Sequence, residues 1–367
     1  MRALSDFNHE HLRDELARQG FPIIHAQPIL RAFYRAHGRI DLGAMAVGNA
    51  LRDWLASNVR PRQSRVLRRH ESADGTVKLL VGFDAGGAVE TVLMPSHRRD
   101  RAAACVSSQV GCSMGCDFCA STRSGFERDL TAGEVVEQFL HTACEAASGG
   151  RRISTLVFMG MGEPLLNLDN VVDAIRRIAD RSLGAVGYRN ITVSTVGIVP
   201  GIDRLAELDL GVHLALSLHA PDDATRSSLV PVNRRWRVRE IVEAAQRFQQ
   251  RTGRPVNVEY CMLAGVNDSD EQARLLADLL RGWRAHVNLI PYNAIGAGLS
   301  GTVYQRPAPE RVERFTELLR ERGVVTHVRQ TRGDDVSAAC GQLRVFSLSP
   351  SRGEGRVRGE SCARLKR

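Results

Sequence analysis

The 367-residue sequence has few aromatic residues and lacks a long apolar run. Phe, Trp and Tyr make up only 5% of it, so we expect a core of Val, Leu, Ile and Ala. A transmembrane helix needs about 20 consecutive apolar residues, and the chain contains no such run. The N-terminus also lacks the apolar stretch of a signal peptide. We therefore expect a cytoplasmic protein that has no membrane partner.

The sequence also lacks paired C-x2-C motifs, although it contains 8 cysteines. One group stands out: Cys112, Cys116 and Cys119 form C-x3-C-x2-C, beside Gly111 and Gly115. In a reducing compartment, clustered cysteines bind metal or perform chemistry more often than they form disulfides. The spacing suits an iron–sulfur cluster that is held by three thiolates, with one iron left open. Zinc, which normally has four protein ligands in structural sites, and three unligated thiols are the alternatives.

Acidic residues are outnumbered by basic ones. The 50 Lys and Arg against 41 Asp and Glu give a net charge of +9 and a pI of about 9.5. The excess is mostly arginine and lies in clusters at 60–69, 98–101, 234–239 and after residue 351. A clustered basic surface favours a polyanionic partner, nucleic acid first. The alternative is a set of solvated arginine-rich faces.

The hydrophobic periodicity predicts helices first, then short antiparallel strands, then a long alternation of strands and helices. Asp6 is expected to cap the first helix, with further helices at 26–37 and 42–58. Asp-Gly and Gly-Gly pairs separate predicted strands at 65–71, 77–83 and 88–93.

Alternating strands and helices after residue 105 imply parallel βα units. Counting 105–110 as the first strand, six or seven such units are present, fewer than the eight of a closed barrel. The fold class is therefore α/β, a partial open (βα)6 TIM-like barrel. We predict four regions: a helical accessory domain at 1–60, a short β extension at 61–100, the barrel at 101–348 and a disordered basic tail at 349–367.

Polar residues follow several predicted strands, at the end of the sheet where parallel βα folds bind ligands. Gly160, Gly162 and Glu163 follow one strand, so that the glycines permit close approach and the carboxylate could accept from an ammonium group. A cluster with an open iron can chelate the amino acid end of S-adenosylmethionine. Other candidates at such ends are Ser194, the segment Ser217-Leu218-His219, which brings a hydroxyl and an imidazole, and Asn293, which suits a ribose or an adenine. Each, taken alone, would also fit a plain turn or a structural hydrogen bond.

Two further cysteines have a chemical context. Cys340 follows Asp334 and Asp335 in a loop flanked by glycines, which is not a core pattern, although an inert buried thiol is the alternative. Cys105 lies seven residues before the cysteine group and could simply pack in a strand. We interpret Cys144, Cys261 and Cys362 as structural or incidental.

The motifs QVGCSMGCDFCAS, FMGMGEPLLN, SLHAP, VEYCMLAGVND, LIPYN and RGDDVSAACGQL occur in this order, within a similarity that extends from about residue 42 to residue 345. In order and spacing they resemble the radical SAM RNA methyltransferases of the RlmN/Cfr type. The resemblance implies a [4Fe-4S] cluster on Cys112, Cys116 and Cys119. It also implies a methyl-carrying Cys340 that forms a transient disulfide with a resolving thiol, Cys105, and a proton acceptor, Glu90. The implied S-adenosylmethionine contacts are Gly162, Glu163, Ser194, Ser217, Leu218, His219 and Asn293.

The resemblance implies methylation of C2 of an adenosine in 23S rRNA and also in tRNA. One S-adenosylmethionine would methylate Cys340, a second would yield the radical that activates this methyl group, and Cys105 would release the product. We expect a monomer that is reduced by an electron donor such as flavodoxin. Methylation at C8 is the nearest alternative, although Pro164 and Leu165 in MGEPLLN favour the C2 branch. A non-catalytic iron–sulfur RNA-binding protein is the second alternative.

Overall fold

A ten-stranded mixed sheet runs through the described part of the chain, residues 1–184 and 186–344 of a computed structural model. The strands are β1 Arg2–Ala3, β2 Val59–Arg60, β3 Ser64–Glu71, β4 Val77–Phe83, β5 Ala88–Pro95, β6 Arg101–Cys105, β7 Gln109–Gly111, β8 Phe126–Asp129, β9 Arg152–Phe158, β10 Ile191–Thr195, β11 His213–Ser217, β12 Val256–Met262, β13 Ala285–Pro291 and β14 Val325–Val328. The helices are α1 His9–Arg18, α2 Ala26–Arg35, α3 Asn49–Asn58, α4 Ala132–Ser148, α5 Leu168–Ala179, α6 Val199–Leu208, α7 Asp223–Leu229, α8 Val238–Thr252, α9 Asp270–Leu279 and α10 Pro309–Glu321.

The parallel part of the sheet contains β6 and β9 to β14, joined in the order β6-β9-β10-β11-β12-β13-β14. Helices α4, α5, α6, α8, α9 and α10 lie in the connections between these strands. In the sheet of the described residues, β14 and β3 are the two edges, so the sheet stays open. The α/β class and the open parallel arrangement are as predicted. No helix among these residues has the length and apolar character to cross a membrane.

The predicted antiparallel strands at 65–71, 77–83 and 88–93 are confirmed as β3, β4 and β5. They continue the parallel sheet, because β5 pairs antiparallel with β6 and brings Val92 opposite Cys105. The division into regions at 60 and 100 stays a prediction, and the predicted tail at 349–367 lies outside the described residues.

Two predictions for the N-terminal helices were wrong. Asn8, not Asp6, caps α1 and accepts from the N–H of His11 at 2.8 Å. Asp6 instead accepts from the side chain of Gln63 at 2.7 Å. The predicted helix at 42–58 divides into a short 3-10 turn, Leu42–Ala44, and α3. Glycine disfavours the helix interior, and Gly48 lies directly before α3.

The predicted first barrel strand at 105–110 was also wrong, because the strand ends at Cys105. Ser107 donates its N–H to the side chain of Gln138 on α4 at 2.8 Å, so this backbone group does not take part in the sheet. The chain then forms β7, which pairs with β8 in a separate two-stranded sheet. This small sheet flanks the loop that carries the three clustered cysteines.

Candidate functional site

One pocket at the carboxyl ends of the parallel strands collects most of the predicted site residues. Those that line it are Cys112, Cys116, Cys119, Gly162, Glu163, Ser194, Ser217, His219 and Cys340. Four predicted residues do not line it: Glu90, Cys105, Leu218 and Asn293. Residues more than two hundred positions apart in the chain therefore meet in one cavity.

Backbone contacts hold the cysteine loop in its curled shape. Gly111 has φ of +77°, and a Cβ there would lie 1.8 Å from the carbonyl oxygen of Gly125. Cys112 donates its N–H to that same carbonyl at 2.9 Å. Asp117 anchors the loop on its other side, because its carboxylate accepts from Ser300 and from the Tyr304 hydroxyl at 2.6 Å.

The three thiols differ in exposure but share an apolar setting. Cys112 and Cys116 are buried and Cys119 is partly exposed. Burial raises the pKa of Cys112 to about 12, and burial also raises the pKa of Cys116 and of Cys119. Among the described residues, no group of three His, Cys, Asp or Glu side chains is placed to hold a single metal ion. A single zinc ion would need every sulfur within about 2.3 Å of it.

Glu163 is an almost fully buried carboxylate, 2% exposed, between the cysteine loop and β10. Its Oε1 accepts from the N–H of Leu165 at 3.0 Å and its Oε2 from the N–H of Val196 at 2.9 Å. Burial raises the pKa of Glu163 to about 7, against the lowering effect of these backbone donors. The carboxylate therefore has a fixed orientation and gains a proton easily near neutral pH.

The two glycines before Glu163 are required by close backbone approach. A Cβ at Gly160 would lie 2.8 Å from the carbonyl oxygen of Val106. Gly162 has φ of +94°, a region that favours glycine, and a Cβ there would lie 2.5 Å from the Cβ of Gln109. The turn therefore packs directly against residues 106–109, and both glycines line the pocket.

Neutral polar groups line the wall formed by β10 and β11. The hydroxyls of Ser194 and Ser217 lie 3.2 Å apart. His219 has φ of +62°, and its Nδ1 accepts from the N–H of Cys261 at 3.0 Å. Burial, and next the charge of Arg226, lower the pKa of His219 to about 3, so the ring is neutral at physiological pH. Leu218 turns instead into the hydrophobic core.

The segment 329–344, here called the closing segment, carries Cys340 from the edge strand β14 across the mouth of the sheet. Gly333 donates its N–H to Asp74 at 3.1 Å, and Lys78 donates to the carbonyl of Ser337 at 3.1 Å. Both contacts are made to the β3–β4 hairpin region at the other side of the molecule.

The same segment is tied to the cysteine loop and to the end of β13. Ala120 donates its N–H to the carbonyl of Gly341 at 2.7 Å. Asn293 donates from Nδ2 to the carbonyl of Cys340 at 3.2 Å, and its Oδ1 accepts from Thr331 at 3.1 Å. Asn293, predicted as a ribose or adenine contact, thus holds the backbone of Cys340.

Cys340 is exposed as a residue, but its thiol is enclosed by the pocket walls. Burial raises the pKa of this thiol, and the neighbouring guanidinium of Arg329 lowers it by charge and by a hydrogen bond. Cys105, at the end of β6, is buried. Burial, and next the charge of Cys340, raise the pKa of Cys105 to about 12. Neither thiol forms a disulfide within the described residues. The effect of Cys340 on the pKa of Cys105 means that the two side chains lie near each other.

Glu90 lies on β5 and faces the same side of the sheet as Cys105, because it is two residues from Val92, the partner of Cys105. Both of its carboxylate oxygens are occupied. Lys78 contacts Oε1 at 2.9 Å, and the N–H of Arg344 donates to Oε2 at 2.9 Å. The carboxylate is thus held beneath the closing segment rather than in the pocket.

Sequence reasoning missed two charged residues in this pocket, Glu259 and Arg329. They form an ion pair at 3.3 Å. A period-two pattern was present, because Asn257, Glu259 and Cys261 alternate along β12 with apolar residues and therefore face one side. Read as an inward face, this pattern would have pointed to Glu259.

Comparisons with known proteins agree with this geometry. The family model described as the radical SAM superfamily matches residues 106–277. A crystal structure of a radical SAM methyltransferase from Sphaerobacter thermophilus superimposes with a TM-score of 0.88 at 44% identity, covering 94% of this chain and 99% of that one. The fold is thus that of the radical SAM enzymes.

Similar curated proteins show which family of radical SAM enzymes the chain belongs to. The protein named "Probable dual-specificity RNA methyltransferase RlmN 1" from Opitutus terrae is 52% identical over 342 residues, which covers 93% of this chain and 96% of the relative. A relative from Symbiobacterium thermophilum, named "Probable dual-specificity RNA methyltransferase RlmN", is 45% identical over 91% of this chain and 89% of its own length. The chain belongs to the RlmN family of radical SAM RNA methyltransferases, and the resemblance stated from the motifs is confirmed.

Proposed function

We propose that this protein methylates C2 of an adenosine in 23S rRNA and in tRNA, with S-adenosylmethionine as methyl donor and Cys340 as methyl carrier. The observation that carries the proposal is the meeting of the three clustered cysteines, Glu163 and Cys340 in one pocket. A methyl donor bound there would face both the cluster loop and the carrier thiol. The relatives' printed names, dual-specificity RNA methyltransferase, support two RNA substrates.

The residues present fit a [4Fe-4S] cluster. Three thiols converge on one cavity, and after burial the charges of Cys119 and Cys112 raise the pKa of Cys116, so the three sulfurs are neighbours; this suits a cluster in which each thiolate binds a different iron. Their raised pKa values favour thiols without the cluster, so cluster binding would release protons. When bound, the cluster supplies the electron for reductive cleavage of S-adenosylmethionine, and Cys112, Cys116 and Cys119 would be its ligands.

Glu163 and the turn that contains Gly160 and Gly162 would hold the amino acid end of S-adenosylmethionine. The carboxylate is fixed by the N–H groups of Leu165 and Val196, so it would meet an ammonium group without reorganisation. Gly162 lines the same pocket beside this carboxylate. Ser194 and Ser217 offer hydroxyls further along the sheet.

Cys340 and Cys105 would carry out two different covalent steps: Cys340 would accept the methyl group, and Cys105 would release the product. Burial raises the pKa of Cys340, and the guanidinium of Arg329 opposes this rise, so Arg329 would favour the thiolate that accepts a methyl group. Cys105 holds its proton firmly, since burial raises its pKa to about 12. It would therefore wait as a thiol. After losing its proton, it would attack the Cys340 sulfur of the thioether that joins Cys340 to the RNA; the C–S bond would break, the methylene carbon would take the electron pair and a proton to become the methyl group of the product, and a Cys105–Cys340 disulfide would remain.

Glu90 is our proposed proton acceptor for the adenine ring. Its contacts with Lys78 and with the N–H of Arg344 keep the carboxylate in place, and one of them would have to open for the base to act. Because the closing segment supplies the second contact, movement of this segment would couple substrate entry to release of the base.

The RNA would approach Cys340 from the side away from the cluster loop. A second pocket there is lined by Met94, His97, Arg332 and Cys340, among others. The exposed Arg98 follows His97 in the chain. Such basic groups contribute affinity through phosphates, while the target base must leave its stack to reach a deep thiol.

The test is an anaerobic reaction of cluster-reconstituted protein with S-adenosylmethionine, a reductant such as flavodoxin, and total RNA, followed by nucleoside mass spectrometry. We expect 2-methyladenosine in rRNA and tRNA. Finding 8-methyladenosine alone would support the C8 alternative. Absence of 5′-deoxyadenosine would support a non-catalytic RNA-binding protein.

A further inference from the structure

Glu259 is a buried carboxylate that has only one of its two oxygens in use. It is 3% exposed and lies on β12. Its Oε1 accepts from the side chain of Asn288 at 2.9 Å and from Arg329 at 3.3 Å. Its Oε2 is buried and has no hydrogen-bond partner within the described residues. Leaving a buried acceptor unpaired is unfavourable, more so when the group is charged.

The location of Glu259 in the sheet places its unpaired oxygen at the candidate site. Glu259 lines the same cavity as the cluster loop, Glu163 and Cys340. In the sheet it is the register partner of Ser217 on β11 and of Asn288 on β13. Ser217 in turn lies beside Ser194. Polar side chains therefore form a row across β10 to β13 that starts near Glu163.

This row has the right order for a ligand that is anchored at one end. With the amino acid group of S-adenosylmethionine at Glu163, the nucleoside would extend along the serines towards Glu259. A carboxylate that accepts from ribose hydroxyls is a common feature of nucleotide sites. Burial raises the pKa of Glu259 while the charge of Arg329 lowers it, so Arg329 helps to keep the oxygen an acceptor.

We propose that Glu259 is a ribose-binding residue, whose Oε2 accepts a hydrogen bond from a ribose hydroxyl of the ligand in this pocket. The inference rests on the proposed function, because it takes the ligand to be a nucleoside. The ribose could belong to S-adenosylmethionine, which the row of side chains favours, or to the target nucleotide of the RNA.

The test measures binding to the anaerobically reconstituted full chain by calorimetry. The probes are S-adenosylmethionine and its 2′-deoxy and 3′-deoxy ribose analogues. We expect Glu259→Gln to weaken binding of S-adenosylmethionine about tenfold or more. For wild type, we also expect one deoxy analogue to bind more weakly than S-adenosylmethionine by a similar factor. The variant Glu259→Gln should bind that analogue no more weakly than it binds S-adenosylmethionine. Glu137→Gln, which alters a buried carboxylate that accepts on both oxygens, from Ser5 and from Ser64, and does not line the pocket, should leave binding unchanged.

Two further measurements decide which molecule supplies the ribose and whether Glu259 acts directly or only through Arg329. If Glu259→Gln leaves calorimetric binding intact but removes the preference for ribose over 2′-deoxyribose at the target nucleotide, the ribose is that of the RNA. If Arg329→Met reproduces the whole loss and the variant Glu259→Gln still discriminates against the deoxy analogue, Glu259 acts only through Arg329 and the proposal is overturned. Equal binding of all probes by wild type and Glu259→Gln, together with an unchanged preference for ribose at the target nucleotide and unchanged circular dichroism, also overturns it. Wild type that binds no S-adenosylmethionine would instead remove the proposed function.

Discussion

Glu163 should make the stability of the empty protein fall as the pH rises through neutrality. Burial raises its pKa from the ordinary 4.5 to about 7, so the folded state holds a proton that the unfolded chain has lost. The stabilising contribution is complete below pH 4.5 and disappears as the pH rises through 7. At about 1.36 kcal/mol for each pKa unit, it amounts to about 3 kcal/mol.

The variant Glu163→Gln isolates this contribution, because the amide keeps the size of the side chain and does not titrate. Urea unfolding of metal-free, ligand-free protein should be followed from pH 4.5 to pH 8. We expect the unfolding free energy of wild type, relative to the variant, to decrease by about 3 kcal/mol over this range. Glu127→Gln, at an exposed position, is the control for removing a carboxylate elsewhere in the molecule. A difference that stays constant or increases with pH would refute the reasoning.

Ligand binding should show the opposite dependence on pH. An ammonium group interacts with the ionised carboxylate, so the affinity for S-adenosylmethionine should rise as the pH increases from 6 to 8 and Glu163 loses its proton. The variant Glu163→Gln should bind weakly at every pH in this range. Calorimetric titrations check both curves, and an affinity of wild type that falls with pH would contradict the assigned contact.

Three further predictions concern the thiols and the glycine turn. Cys340→Ala should abolish methylation of RNA, because the methyl carrier is lost, while reductive cleavage of S-adenosylmethionine persists; methylated RNA in this variant would contradict the role. Cys105→Ala should trap a covalent protein–RNA adduct visible by denaturing electrophoresis, and free product at the wild-type rate would remove Cys105 from the mechanism. Gly162→Ala should lower the melting temperature and weaken S-adenosylmethionine binding at least tenfold, because its Cβ would meet Gln109 at 2.5 Å. Gly86→Ala, at a similar φ of +91° with no atom within 4 Å, should add only the backbone strain of about 1–3 kcal/mol and leave binding intact.

Much of the fold was predictable because local patterns and tertiary environment agree along the barrel. The helix Ala132–Ser148 begins at a capping box in which Thr131 and Glu134 exchange hydrogen bonds, so its start is encoded locally. Along the strand Val256–Met262, polar and apolar residues alternate, a period-two pattern that indicates a strand. The short helix Asp223–Leu229 was not predicted, since its seven residues are too few to show a clear period.

The site was predictable where residues close in sequence act together and unpredictable where the closing segment brings distant residues into contact. The three clustered cysteines span eight positions, so spacing alone indicates a shared ligand. Arg329 and Glu90, in contrast, acquire their environment only because residues 329–344 leave the edge strand and pack over the opposite end of the sheet. No periodicity encodes this path, which is held by isolated hydrogen bonds to separate parts of the molecule. The path also brings Cys340 near Cys105, because the end of β6 carries one thiol and the closing segment carries the other.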